Sequence, residues 1–101
     1  MASLSDKQIR NLRAQAHSLK PVVIVGANGL TDNVLNEIDQ AVEHHELIKV
    51  RLNVGDKDAR DAAIAMICEK ARSELVQKIG HIIAIYRKNH DKPRIDPGPR
   101  K

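Results

Sequence analysis

The spacing of hydrophobic residues changes several times along this chain, and each change predicts the start of a new element. In residues 5–20 the apolar positions recur at steps of three and four with a basic stripe beside them, which predicts an amphipathic helix. Ser5 or Asp6 is suited to cap its start, and Pro21 is expected to stop it, because proline disfavours helical geometry in the residue before it. The four aliphatic residues 22–25 then predict a short strand.

A second helix and a second strand follow from the next change of period. Thr31 is a good N-cap, and the apolar stripe after it predicts a helix that ends near His45. The sequence LIKVRLN, residues 47–53, alternates strictly and therefore predicts a strand. One face of that strand is apolar, and the other carries Lys49, Arg51 and Asn53.

The rest of the chain predicts one more helix and a hairpin. The helix covers about residues 58–72, and two strands at about 75–79 and 82–87 are separated by Gly80 and His81 as a tight turn. The resulting order, αβαβαββ, predicts a compact α/β domain with a four-stranded mixed sheet. Two crossovers in the same direction place the second and third helices on one face of the sheet, and the first helix is the available cover for the other face.

Length and composition indicate one small domain. A chain of 101 residues has room for a single core, which must be aliphatic because Phe and Trp are absent and Tyr86 is the only aromatic residue. Cys68 has no partner for an internal disulfide and falls on the inward stripe of the third helix, so it is expected to be a core thiol. Without a signal stretch or a membrane-spanning run, a cytoplasmic location is the default expectation, and the lack of a surplus apolar stripe favours a monomer.

The net charge of +4 is concentrated towards the C-terminal end. Residues 87–101 hold six Lys or Arg against two Asp, which is a balance of +4, so the remainder is neutral. Within that remainder, residues 1–30 are mostly basic, whereas residues 31–46 hold five carboxylates and no Lys or Arg. This polarity favours an anionic polymer as the partner, with the acidic second helix turned away from it, although ordinary solvated helix faces would give the same composition.

The C-terminal segment also differs from the rest in composition. Residues 89–101 contain three prolines and few apolar residues, which predicts an extended, mobile tail after a domain of residues 1–88. This tail is either a solvated end or a basic arm that adds affinity for phosphate.

Two of the five glycines lie in the tetrad of residues 26–29, between the first strand and the second helix. One glycine suits a sharp turn, because glycine adopts a positive φ without strain. Two glycines spaced by three also allow another backbone to approach the N–H groups at the helix start, and KH-type modules clamp a nucleic-acid backbone in this way. A plain connector could carry the same residues, so the tetrad alone leaves both interpretations open.

Several short motifs in a fixed order resemble one known family. The segment LRAQAHSLKPVVIVGANGLT is followed by ELIKV, VQKIG and YR, and this series over about residues 4–88 is similar to the CRM domain in its stand-alone bacterial YhbY-like form. CRM denotes the chloroplast RNA splicing and ribosome maturation module. The resemblance implies a fold similar to the C-terminal domain of bacterial initiation factor three, RNA binding through the Gly-x-x-Gly loop and the adjacent basic surface, and association with ribosomal RNA in precursors of the large ribosomal subunit.

The candidate RNA-binding residues are the loop and the cations of the first helix and second strand: Gly26, Ala27, Asn28, Gly29, Lys7, Arg10, Arg13, His17, Lys20, Lys49 and Arg51. Many relatives have Lys at the position of Ala27, so here the charge for phosphate is expected from neighbours. Because the chain has one aromatic ring, base stacking is scarce, and the expected mode is recognition of phosphate backbone and RNA shape. No cofactor or small-molecule substrate is implied.

Other functions have less support in the sequence. His44, His45 and Glu46 are adjacent, but neighbouring residues on a helix end point in different directions and lack the spacing of a metal site. No catalytic constellation is predicted, so the protein is not expected to be an enzyme. The alternatives are a nucleoid protein of the Alba kind, which would prefer duplex DNA, and a protein-interaction module that uses the acidic helix or a strand edge.

Overall fold

The computed structural model describes residues 4–99, and these residues form the seven elements in the predicted order. The helices are α1 (Asp6–Ala16), α2 (Asp32–His45) and α3 (Lys57–Lys70), and the strands are β1 (Pro21–Val25), β2 (Leu47–Leu52), β3 (Glu74–Ile79) and β4 (Ile82–Tyr86). The αβαβαββ prediction is therefore confirmed. Among these residues, no helix is long and apolar enough to cross a membrane.

The four strands form one mixed sheet in the order β1-β2-β4-β3. β1 and β2 are parallel, and β4 is antiparallel to both β2 and β3. α2 makes the crossover between the parallel strands β1 and β2, which a short turn could not make. The β3–β4 hairpin closes through Gly80 and His81, as predicted, and the φ of +57° at Gly80 explains the glycine.

The main core lies between the sheet and the pair α2 and α3, which pack on the same face as predicted. Cys68 is half-buried against this core, and burial raises the pKa of its thiol, so it lacks the low pKa of a reactive cysteine. The buried residues of the cluster are all aliphatic: Val23, Val25, Ile38, Val42, Ile48, Val50, Leu52, Ile64, Ile67, Ala71, Ile83 and Ile85.

α1 packs on the opposite face of the sheet and covers part of it. Its residues Leu12 and Ala16 are fully buried in a second cluster, which is completed by Leu47, Val76, Ala84 and Tyr86 of the sheet. The helix ends at Ala16, well before the predicted stop at Pro21.

The prediction that α1 covers the far side of both apolar strands is right for β4 and wrong for β1. Val22 and Ile24 of β1 are 53% and 59% exposed. The reason is position, because α1 packs over β2, β4 and β3, and β1 lies at the edge of the sheet beyond them. The β1 side of this sheet face therefore remains open.

The segment after β4 has no helix or strand, and up to residue 99 it lies against the body of the protein. Ile95 packs against the α1 cluster, and Gln8 of α1 donates to the carbonyl of Gly98 at 3.0 Å. Asn11 and Gln15 donate to the carbonyls of the residues just before Gly98, at 3.1 and 2.8 Å. The predicted mobility of this tail stays a prediction, as does the boundary at residue 88, and its last two residues, 100 and 101, lie outside the described range.

Candidate nucleic-acid interface

The Gly-x-x-Gly tetrad forms a tight turn at the C-terminal end of β1. The N–H of Gly29 donates to the carbonyl of Gly26 at 3.0 Å, and Gly29 has a φ of +73°. A Cβ built on either glycine would meet no atom within 4 Å. Backbone conformation therefore explains the glycine at position 29, whereas nothing inside the protein requires one at position 26. The open space at both positions is available to the backbone of a ligand.

The turn leads directly into the N-terminus of α2. Thr31 caps the helix, because its hydroxyl accepts the N–H of Val34 at 3.2 Å. The N–H groups of a first helical turn carry partial positive charge and point at whatever approaches. Asp32 is exposed in that turn, where it stabilises the helix but opposes the approach of an anion.

Among the candidate cations, Arg51 lies beside the end of β1 that carries the turn. Arg51 pairs with Ile24 in the parallel register, and the next residue but one, Asn53, donates its N–H to the carbonyl of Val25 at 2.9 Å. The Nε of Arg51 donates to the Asn53 side chain at 3.2 Å, which holds the guanidinium on the open face of the sheet. Arg51 is thus the strand cation closest in register to the turn.

Lys20 and Lys49 lie together near the opposite end of β1. Lys49 pairs with Pro21 at the start of the strand, and both lysines line a groove of about 430 Å³. From Val22, which lines this groove, to Gly26 of the turn is four residues along β1, or about 13 Å. Arg94 of the C-terminal tail lines the same groove, although the sequence did not single it out.

The remaining candidates are on or just after α1 and form a third group. Lys7, Arg10, Arg13 and His17 are all exposed. The Nε of Arg13 donates to the carbonyl of Val76 at 2.9 Å, which directs it to β3 at the far edge of the sheet from β1. The predicted residues therefore occupy three places on the surface, namely the turn with Arg51, the groove, and α1.

Two carboxylates of the acidic segment, residues 31–46, form ion pairs within the protein while remaining partly exposed to solvent. Asp39 and Glu43 accept the two ends of the Arg87 guanidinium at 2.8 and 2.7 Å. Arg87 also donates to the carbonyl of Ala71 at 2.7 Å. These bonds join α2 to the segment that follows β4.

Glu46 is the residue that sequence reasoning misjudged most. It ends α2 with a φ of +64° and is fully buried. One carboxylate oxygen accepts the N–H groups of Arg94 and of Ile95, the latter at 2.7 Å, and the other oxygen accepts the N–H of Asn89 at 2.6 Å. Burial raises the pKa of this carboxyl, but the three N–H groups and the nearby Lys88 outweigh burial and hold the pKa below its ordinary value. The carboxylate is an anchor for the tail and not a metal ligand, and within residues 4–99 no three His, Cys, Asp or Glu side chains are grouped to hold a metal ion.

The protein is an α/β domain with an open Gly-x-x-Gly turn between β1 and α2. The family model described as the CRS1 / YhbY (CRM) domain matches residues 4–87. The chain therefore belongs to the CRS1/YhbY (CRM) domain family, as its motifs indicated.

Relatives of similar length support this assignment. A protein of Haemophilus influenzae named "RNA-binding protein" is 44% identical over 91 residues, which are 90% of this chain and 92% of that protein. "Probable RNA-binding protein PA4753" of Pseudomonas aeruginosa is 45% identical over 87 residues, which are 86% of this chain and 84% of that protein. The solution structure of SAV1595 from Staphylococcus aureus, described as "a putative RNA binding protein", has a TM-score of 0.80 and 37% identity, covering 93% of this chain and 98% of that one.

Proposed function

We propose that this protein binds RNA through the phosphate backbone, with the Gly-x-x-Gly turn at the centre of the interface. The observation that carries the proposal is the open space at Gly26 and Gly29, directly before the N-terminus of α2. A phosphodiester fits such a place, because it needs close backbone approach and N–H donors rather than a deep pocket. The family and the names of the relatives point to the same polymer.

Cations around the turn supply the rest of the affinity. Arg51 is the nearest in register, and the exposed basic residues of α1 and its C-terminal end extend the positive surface. Binding through about four to six phosphate contacts gives a steep dependence on salt and a modest preference for sequence. Recognition of one RNA then depends on its folded shape, because the chain offers one aromatic ring for stacking and that ring, Tyr86, is buried.

The RNA target we propose is ribosomal RNA in precursors of the large ribosomal subunit, so that the protein assists subunit assembly in the cytoplasm. Support comes from the CRM family to which the chain belongs, since CRM denotes chloroplast RNA splicing and ribosome maturation. Sedimentation of the tagged protein through a density gradient tests this target. Co-migration with particles near the large subunit, lost on ribonuclease or high-salt treatment, is the expected result, whereas migration at the top of the gradient at low salt would exclude it.

A substitution at Gly26 tests the role of the turn. Gly26→Asp places a carboxylate where a phosphate is expected, and the position has open space and no left-handed backbone, so the fold should accept it. Gly29 is the poorer choice, because its φ of +73° strains any side chain. We expect RNA affinity to fall about tenfold or more at low salt.

Met66→Asp is the matched control for charge. Met66 lies on α3, on the face opposite to the open part of the sheet, and is 45% exposed, so its replacement adds the same charge away from the proposed interface. Equal RNA affinities for Gly26→Asp and Met66→Asp, both folded, would remove the turn from the interface.

A further inference from the structure

We infer that the groove between the C-terminal tail and the start of β1 is a second RNA contact, which takes one unpaired nucleotide with its base on an apolar floor and its phosphates among three cations. This inference rests on the proposed function, since it assigns a further site for the same ligand. Val22 in the groove is about 13 Å along β1 from Gly26 of the Gly-x-x-Gly turn, so the two contacts are separate.

The charged side chains that line the groove favour an anionic ligand. Its volume is about 430 Å³, within the range of small-ligand pockets, and its cations are Lys20, Lys49 and Arg94. His45 also lines it, and among residues 4–99 no carboxylate does. A concave site whose described lining has three cations and no acidic side chain concentrates field on a negatively charged group.

The floor of the groove is apolar, which an inorganic anion alone would not require. Leu19 and Val22 are 37% and 53% exposed there, and Leu47 and Ile95 complete the apolar part. A nucleotide matches both features of the groove, because its flat and weakly polar base suits the apolar floor and its charged phosphate suits the cations. The one Tyr of the chain is buried and Phe and Trp are absent, so the base can pack on the aliphatic side chains, on the exposed His45 ring and on the guanidinium plane of Arg94.

One wall of this groove is held in position by a buried carboxylate. The N–H groups of Arg94 and Ile95 both bind the carboxylate of Glu46, which is fully buried at the end of α2. Ile95 packs in the cluster beneath α1, so the backbone at this wall is fixed from two sides. The tail therefore acts at a defined position as part of a site, which differs from a loose basic arm.

The open face of the sheet connects the groove to the turn. Val22 lines the groove, and Ile24, two residues further along β1, is 59% exposed beside Arg51. Alternate residues of a strand point to the same face, so these side chains form a continuous path along β1. A short single-stranded segment can run from the groove to the Gly-x-x-Gly turn over this path.

Equilibrium binding of a fluorescein-labelled, single-stranded uridine dodecamer tests the groove. Val22→Asp places a carboxylate on the floor among the cations, and Met66→Asp is the control with equal charge change and similar exposure, 45% against 53%. We expect Val22→Asp to weaken binding about tenfold relative to Met66→Asp. Lys49→Gln should also reduce the slope of log K against log salt by about 0.7, the value for one phosphate of a single strand.

The outcomes separate this inference from the proposed function. If Gly26→Asp weakens binding while Val22→Asp binds as Met66→Asp does, the groove is not a contact and the proposed function stands. If the wild-type protein binds neither the dodecamer nor ribosomal RNA, both fail. Thermal unfolding of each variant establishes that a loss of binding is not a loss of fold.

Photo-crosslinking of the wild-type protein gives a test that needs no variant. A dodecamer with 4-thiouridine should crosslink to peptides that contain residues 19–22 or 92–95, in addition to the turn. Crosslinks confined to the turn and α1 would overturn the inference. A second result would also overturn the inference. If a Glu-rich peptide shifts the amide NMR signal of Val22 and the dodecamer does not, the groove binds an acidic protein segment.

Discussion

Replacement of Glu46 by Gln tests whether one buried carboxylate holds the C-terminal tail in place. The two side chains have nearly the same shape, but Gln keeps a single oxygen and presents an NH2 group in place of the other. If the oxygen keeps Arg94 and Ile95, the NH2 group faces the N–H of Asn89, which lies 2.6 Å from the carboxylate in the wild-type protein. Two hydrogen-bond donors, the Gln NH2 group and the N–H of Asn89, then face each other at a buried position. The hydrogen bonds that remain are no longer made to a charged group.

The magnitude follows from these contacts. Loss of one charge-assisted hydrogen bond and burial of an unsatisfied donor together cost about 2–4 kcal/mol. This cost falls on the attachment of the tail, because the core between the sheet, α2 and α3 does not involve residues 89–99. At about 1.4 kcal/mol per factor of ten, the tail should open about 30-fold to 1,000-fold more often.

Two assays report the opening of the tail. Amide hydrogen exchange at Ile95 and trypsin cleavage of the Arg94–Ile95 bond both require release of the segment, and both rates should rise in Glu46→Gln. Glu43→Gln is the matched control, since Glu43 is on the same helix and contacts the same segment, but its side chain is 61% exposed and its ion pair with Arg87 is worth about 1 kcal/mol or less. Rates in Glu46→Gln within threefold of those in the control would refute the anchor.

Four further predictions test other parts of the account. Because the folded pKa of Glu46 lies below its ordinary value of 4.5, the stability it contributes is present at neutral pH and is lost as the pH falls below 4.5, so the denaturant midpoints of wild type and Glu46→Gln should converge in acid. Arg87→Met should lower the free energy of unfolding by about 1–3 kcal/mol, because the carbonyl of the buried Ala71 loses its donor while the two carboxylate partners remain partly exposed. Lys78→Met, at a pair exposed to solvent, should cost less than about 1 kcal/mol in the same denaturation assay. Ile67→Ala, at a fully buried position of α3, should cost about 2–5 kcal/mol by calorimetry or denaturation, and a cost below 1 kcal/mol would contradict the described core. Asp32→Asn removes a carboxylate next to the Gly-x-x-Gly turn and should tighten RNA binding about twofold to threefold at low salt, whereas unchanged or weaker binding would place the RNA elsewhere.

Local periodicity explains why the order of elements was predictable from the sequence. The alternation in β2 assigns Ile48 and Val50 to the core and Lys49 and Arg51 to the other face, and the burial of these residues agrees. Thr31 was predictable as an N-cap because the signal for capping is local. The extent of α1 was predicted less well. The helix ends at Ala16, and it packs over β2, β3 and β4 while β1 stays uncovered, a placement that the spacing of apolar residues within α1 does not indicate.

The role of the C-terminal tail was not predictable for a different reason. Its composition is typical of a solvated end, and the contact that fixes it joins Glu46 to residues 43 to 49 positions later in the chain. Nothing in the sequence near Glu46 distinguishes it from the exposed carboxylates before it. The candidate cations were likewise identified by charge alone. The fold places them at three separate positions, and the two ends of β1 are about 13 Å apart.

Competition between RNA and DNA for the purified protein tests whether the protein is an RNA-binding protein that contacts the phosphate backbone. A labelled fragment of large-subunit ribosomal RNA is bound at a series of salt concentrations and challenged with unlabelled RNA or with duplex DNA of equal length. Binding through RNA phosphates should give a linear fall of log K with log salt, with a slope of about −3 to −5, and displacement by RNA at concentrations at which duplex DNA does not compete. Equal displacement by duplex DNA, or binding that salt does not weaken, would contradict RNA binding through the phosphate backbone.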